Sequence, residues 1–394
     1  MKLALRPYPC LAVAFLALAA CPSAQSAAMS ETEVDEAVAR GYAAIKANDV
    51  PAAKAAFLSV VENAPDSPKA PEAMLRVGHL QLRADAAQAL ATLAALAERY
   101  PHPAETVTAL HRVGSLHMRL KRYDDAQKAF RQAADHSKSS QMNRGKALLQ
   151  VGFLDIMKFW AGEYWARDSE GSLVRVKSDT PEAKTQHLED ARKRFEAVRA
   201  EYAGKPGEEK QIAAIADAAV GEIYLTGKMP RLAEEAYWRV LQEYGAMPAP
   251  LNSLARYGIA QAKFRAGDLA AAAEQFDLLL SEFVPGGVCG ITVATRSMRA
   301  NAAVWKVLAL SEMGQLDEAL AAARQAKQEI AADADPSLSK PAANLGLWEA
   351  SLLSRTGSAE EAIQALQRVI DNYSGTPYAY RAKLVLKQLT GGEQ

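Results

Sequence analysis

Six histidines are the residues best suited to binding a metal or moving a proton: His79, His102, His111, His117, His136 and His187. Such chemistry needs several of these groups to converge on one point. His111 and His117 stand six apart, so on one helix they point about 120° away from each other. No His-Glu-x-x-His and no Cys-x-x-Cys occurs. The three cysteines are Cys10, Cys21 and Cys289. Cys289 has no accompanying His or Asn motif, and it reads as a small apolar residue. Ser337-Leu338-Ser339-Lys340 has the Ser-x-x-Lys form of penicillin-interacting serine enzymes, but its companion motifs are absent. It also lies in a turn between Pro336 and Pro341, and it reads as a chance match. The glycine-rich stretch Val284 to Thr295 has no preceding strand and no following Lys-Ser/Thr. It is an inter-repeat loop rather than a phosphate cradle. Acidic pairs such as Glu189-Asp190 and Glu234-Glu235 fall on amphipathic helix faces. The expectation is a non-enzyme with no catalytic, cofactor-binding or metal residues.

The elements around these residues begin with a targeting segment. Lys2 and Arg6 form a positive region, followed by an apolar run from Cys10 to Ala20. That run is too short to span a bilayer but suits a secretory signal. Leu18-Ala19-Ala20-Cys21 is similar to the lipobox at which bacterial lipoproteins are cleaved and lipidated on the cysteine. Ser26-Ala27-Ala28 is a competing site that would release a soluble chain. Residues 1–20 are read as the signal and 21–30 as a tether. Lys+Arg and Asp+Glu number 46 each, so the chain lacks the basic footprint that nucleic-acid binding requires.

A repeat dominates the remainder. Glycines recur inside helical patterns at Gly41, Gly78, Gly114, Gly152, Gly221 and Gly258. Each costs about 1 kcal/mol relative to Ala in a helix interior. Close approach of a partner helix is the natural compensation. The partner helices carry triplets at i, i+4 and i+7, which lie on one helix face. These are Ala53, Phe57, Val60; Ala126, Phe130, Ala133; Ala191, Phe195, Val198; Ala233, Tyr237, Val240; and Ala272, Phe276, Leu279. Weaker copies are Ala319, Ala323, Ala326 and Ala362, Leu366, Val369, with a degenerate Leu90, Ala94, Ala97 in the second unit. Asn48-Asp49, Gly267-Asp268 and Gly314-Gln315 mark the short turns within pairs.

Glycine in a first helix followed by Ala-aromatic-Ala in a second resembles the tetratricopeptide repeat. The resemblance covers residues 31–390, with several units longer than the family's usual length. It implies an all-α, right-handed superhelical solenoid of about eight antiparallel helix pairs, hence a binding scaffold. Linkers such as Ala64-Pro65-Asp66-Ser67-Pro68 and Tyr373-Ser374-Gly375-Thr376-Pro377 are similar to those of periplasmic repeat lipoproteins. The outer-membrane β-barrel assembly lipoprotein and the Tol-Pal coordinator are examples.

One irregular insertion, residues 158–186, interrupts the fourth pair and separates repeats at 31–157 from those at 187–390. Its aromatic opening, with Trp160, Tyr164 and Trp165, precedes a polar turn and Leu173-Val174-Arg175-Val176, a pattern suited to a short hairpin. These three aromatics are candidate contacts, or else side chains that pack on the helices below. The resemblance also implies a groove lined by first helices, with Tyr42, Lys46, His79, Arg83, His111, Arg119 and Phe153 as its candidate binding residues. The chaperone-tail carboxylate clamp of the family is missing, because Val38 and Tyr42, Leu75 and His79, and His111 and Ser115 stand at its Lys and Asn positions. The functional expectation is a non-catalytic scaffold of the bacterial cell envelope, anchored to the outer membrane by a lipid on Cys21. Its partners would be other envelope proteins or their extended segments, and the lipid its only membrane contact. The alternative is a soluble periplasmic peptide-binding or chaperone-like adaptor.

Overall fold

A computed structural model describes residues 29–167, 173–177, 180–244, 247–282, 293–331 and 338–391. The signal, Cys21, Cys289, Ser337 and most of the glycine-rich loop lie outside the described residues. The chain divides into two compact units, Met1–Val113 and Gly114–Gln394, and the division falls within one helix.

The first unit holds α1 (Glu31–Lys46), α2 (Val50–Asn63), α3 (Ala70–Gln81), α4 (Ala86–Arg99) and the first part of α5 (Ala104–Arg119). The second unit continues with α6 (Tyr123–Asp135), α7 (Gln141–Ala161), β1 (Glu163–Arg167), β2 (Leu173–Lys177) and α8 (Pro181–Tyr202). Then come α9 (Lys210–Thr226), α10 (Pro230–Gln242), α11 (Ala249–Arg265), α12 (Leu269–Glu282), α13 (Val293–Glu312) and α14 (Leu316–Ala331). The last helices are α15 (Ser339–Arg355), α16 (Ala359–Asn372) and α17 (Pro377–Leu389). Among the described residues eight pairs are therefore formed, as expected, and α17 is an additional helix that follows them.

Local chemistry sets the ends of these helices. Ser30 and Glu33 close a reciprocal capping box at α1. Asp49, Asp85, Ser140, Thr180 and Thr376 each accept a backbone N–H at the start of a helix. In six of the described pairs the turn passes through one left-handed residue, at Asn48, Lys121, Lys228, Gly267, Gly314 and Gly357. Glycine takes that conformation at no steric cost, whereas Lys121 and Lys228 take it against their preference.

The core follows the glycine–aromatic logic. A Cβ built on Gly41, Gly114 or Gly152 would lie 2.6–2.8 Å from the ring tip of Phe57, Phe130 or Phe195. The ring thus occupies the space that the missing side chain leaves, and the triplet residues of these helices are buried. Two registers differ from expectation. In the second pair the buried triplet is Ala89, Leu93, Leu96, and Leu93 fills the space over Gly78. An Ala/Leu-rich helix admits both registers, and contact with α3 selects this one. Gly258 does not lie under Phe276. Its space and that of Gly221 are both filled by Tyr237, while Ala260 lies in the cluster around Phe276.

The insertion is shorter than the 158–186 expected. α7 runs on to Ala161 and α8 starts at Pro181, so Lys158, Phe159 and Trp160 belong to the last turn of α7. Gly162, at a φ of 64°, ends that helix and turns the chain into β1. β1 and β2 pair antiparallel, with Tyr164 opposite Val176 and Trp165 opposite Arg175.

Candidate functional site

The hairpin is held from below by a polar node. Asp155, buried on α7, accepts Gln127 Nε2 from α6 at 2.8 Å and Arg194 Nε from α8 at 2.6 Å. One turn on, buried Lys158 reaches Asp124 of α6 at 2.7 Å and Asp155 at 3.9 Å. The charges are mutually compensated, which burial of such groups requires. Tyr164 caps this node. Its ring lies 5.6 Å from that of Tyr123, 6.1 Å from that of His187 and 5.6 Å from Lys158 Nζ. Burial pushes the Tyr164 hydroxyl pKa up, and burial together with Lys158 pushes the His187 pKa down. The next residue, Trp165, donates its backbone N–H to the Lys121 carbonyl at 2.9 Å, which fixes the strand to the α5–α6 turn.

Strand alternation turns Trp165 outward, between the buried Tyr164 and Ala166. Trp165 is exposed, with the Arg175 guanidinium 5.7 Å from its ring, and Arg175 also pairs with Glu163 at 3.4 Å. Trp160, on the end of α7, is 67% exposed and stands edge-on to Phe159 at 4.7 Å. Leu120 and Val174 are exposed as well. Large aromatics held rigidly on a surface suit protein contact, because little side-chain entropy is lost on binding. The three insertion aromatics therefore separate. Trp160 and Trp165 face solvent, and Tyr164 is an anchor rather than a contact.

The groove candidates fare differently. In the first unit the Tyr42 hydroxyl donates to Glu72 and accepts from Arg76 Nε at 2.9 Å, both on α3. Its ring stands edge-on to Phe57 at 5.6 Å. Tyr42 is thus a strut between α1 and α3. His79 is half-buried, and burial with nearby Arg112 and Arg76 lowers its pKa. His111 is half-buried as well. Lys46 and Arg83 are exposed. In the second unit Arg119 is exposed, and Phe153 is half-buried edge-on to Phe195 at 5.0 Å. Lys46 and Arg119 occupy the last turns of α1 and α5, where the helix dipole favours a cation whether or not a ligand is bound.

Among the described residues no group of three or more His, Cys, Asp or Glu side chains is placed to hold a metal. No described helix is long and apolar enough to cross a membrane. Models of the tetratricopeptide repeat match residues 72–102, 107–135, 226–287 and 346–376. The helix pairs are of tetratricopeptide type. The match at 72–102 includes the degenerate second pair. Among solved structures, the tetratricopeptide fold resembles the apo form of RapI at 14% identity and a TM-score of 0.51, covering 91% of this chain and 94% of that one. It also resembles the apo form of the quorum sensor NprR from B. thuringiensis at 14% identity and a TM-score of 0.51, covering 87% and 88%. A tetratricopeptide repeat protein from Parabacteroides merdae aligns at 14% identity with a TM-score of 0.46, over 80% of this chain and 99% of its own. The likenesses to RapI and NprR, at 14% identity, support the fold and nothing finer. No curated protein matches the chain.

Sequence reasoning missed the buried carboxylates between tetratricopeptide helices. Besides Asp155 there is Asp217 of α9, fully buried, which accepts Arg239 Nε and Nη2 at 3.0 and 2.8 Å and the Tyr244 hydroxyl at 2.5 Å. Glu349 of α15, also buried, meets Lys327 and, at 3.4 Å, Arg324. Acids standing inside otherwise apolar helix faces were the available signal.

Proposed function

We propose that the chain is a non-catalytic protein-binding scaffold of the bacterial cell envelope, held to the outer membrane by a lipid on Cys21. The observation that carries the binding role is the end of α7 and the hairpin that follows it on the fourth pair, fixed through Tyr164 and Asp155, with Trp160 of α7 and Trp165 of β1 presented to solvent. A tetratricopeptide array is a rigid support for such a surface. The apolar run ending at Leu18-Ala19-Ala20-Cys21 supports export and lipidation, and the likeness of the linkers to periplasmic repeat lipoproteins supports the same compartment. The residues after Cys21 are Pro22 and Ser23, neither of them an inner-membrane-retention Asp. Ser26-Ala27-Ala28 favours the second reading, a soluble periplasmic adaptor whose mature chain would begin at Met29.

Photo-crosslinking in the native envelope tests the contact surface. A photoreactive residue at position 165 should give a discrete protein adduct, and one at exposed position 131 on α6 should not. Adducts of equal yield at both positions, or none at 165, would sink the assignment of the hairpin.

A further inference from the structure

The hairpin on the fourth pair has two edges, and they differ. β1 is backed by α6 and α7, and its outer edge is closed where the Trp165 N–H meets the Lys121 carbonyl. That bond also fixes the phase of the ladder. Trp165 spends its N–H away from β2, so Trp165 and Arg175 face each other as a pair without hydrogen bonds between them. The bonded pairs are then Tyr164 with Val176 and Ala166 with Val174. The backbone N–H and C=O groups of Leu173, Arg175 and Lys177 therefore point outward from the far side of β2. Among the described residues no backbone group meets them. A row of this kind is a template for another strand.

Side chains define what strand fits. Glu163, Trp165, Arg175 and Lys177 share the outward face of the hairpin, and all are exposed. Glu163 approaches Arg175 from the β1 side at 3.4 Å, which leaves the β2 side of the guanidinium open to a second carboxylate. On the inward face the outermost residues are Val174, exposed, and Val176, half-buried. A strand laid along β2 would set alternate residues beside the two cations and the residues between them beside the two valines. Cations on an edge repel a like strand. A second copy of β2 in antiparallel pairing would set Arg175 and Lys177 against their own kind.

We propose that β2 is the docking edge for an extended segment of a partner protein, added antiparallel as a third strand, in which carboxylates alternate with apolar residues. The proposal rests on the reading of the hairpin as the contact surface and names its mode. In strand addition the backbone bonds supply affinity and the alternate side chains supply specificity.

The probe is a capped, fluorescein-labelled peptide, Ser-Val-Glu-Val-Glu-Val-Ser, titrated by anisotropy with the full chain. Saturable binding is expected. Its glutamates would oppose Arg175 and Lys177 as hydrogen-bonded pairs, so methylating their two backbone nitrogens should weaken binding by about tenfold or more. Lysine in place of both glutamates should do the same. Arg175→Pro should also weaken binding about tenfold or more while the Trp165 amide keeps its slow exchange, because the outward N–H at 175 takes no part in the β1–β2 ladder. Absence of saturable binding up to about 1 mM peptide overturns the proposal. Equal binding of the methylated or the lysine peptide overturns it too. So does a dimer in sedimentation that Arg175→Pro dissolves, since the occupant would then be a second copy. In the envelope, the protein adduct at position 165 should disappear in Arg175→Pro. An adduct that survives this change sinks the added strand and leaves the hairpin as a contact surface, whereas no adduct in the parent chain sinks both.

Discussion

At the residue scale the repeat glycines and the buried acids carry the sharpest consequences. Glycine to alanine inside a helix ordinarily stabilises by about 1 kcal/mol. At Gly114 the new methyl would sit 2.8 Å from the ring tip of Phe130, so the ring must move within a filled interface. Gly114→Ala should therefore destabilise by about 1–3 kcal/mol in denaturant titration. Gly204→Ala, where nothing lies within 4 Å, should stay within about 0.5 kcal/mol of the parent. Asp217 is a different kind of dependence. Asp217→Ala leaves Arg239 and Tyr244 without their shared acceptor and should cost about 2–4 kcal/mol, less than a wholly buried pair because Arg239 is partly exposed. The histidines set the pH response. Burial holds His79 and His187 below the ordinary histidine value of 6.5, aided at His79 by Arg112 and Arg76 and at His187 by Lys158. The unfolded chain then binds protons more readily than the folded one. Stability from this source is complete above about pH 6.5 and is lost as pH falls through that value toward the folded pKa. The melting temperature should fall between pH 7.5 and pH 5.5, and His79→Gln with His187→Gln should flatten that fall. A double variant with the same slope as the parent would refute this origin.

At the scale of elements, the hairpin depends on Tyr164 for its seating and only slightly on Trp165. Tyr164→Ala removes a buried ring from between Tyr123 and His187. The Trp165 amide, bonded to the Lys121 carbonyl, should then exchange its hydrogen about tenfold faster or more. Trp165→Ala should leave the exchange of neighbouring amides and the melting temperature nearly unchanged. The helix pairs themselves were legible because their signal is local. Ala, aromatic and Ala at i, i+4 and i+7 lie on one face whatever the rest of the chain does. The register errors came where two solutions satisfied the same pattern. α4 offers Ala or Leu at nearly every position, and Tyr237 accepts two glycines, Gly221 and Gly258, where one was expected. α17 escaped notice because no glycine marks it.

At the scale of the whole molecule, the consequence to check is the anchor. If Cys21 is lipidated, Cys21→Ser should abolish palmitate labelling and shift the chain from the membrane to the soluble periplasmic fraction. Unchanged labelling and fractionation would remove the anchor, and a mature N-terminus at Met29 would point to the soluble adaptor. Residue types by themselves determined that this chain is a series of tetratricopeptide-type helix pairs, since helix periodicity and glycine–aromatic complementarity are each written within a few dozen consecutive residues. Which side chains remain available for binding was decided only in three dimensions. Tyr42 is occupied by Glu72 and Arg76, some thirty positions away, and Tyr164 by Tyr123 and His187. Trp160 and Trp165 stay free to meet solvent. Exposure depends on what the other helices bring alongside, and that information lies outside any single repeat.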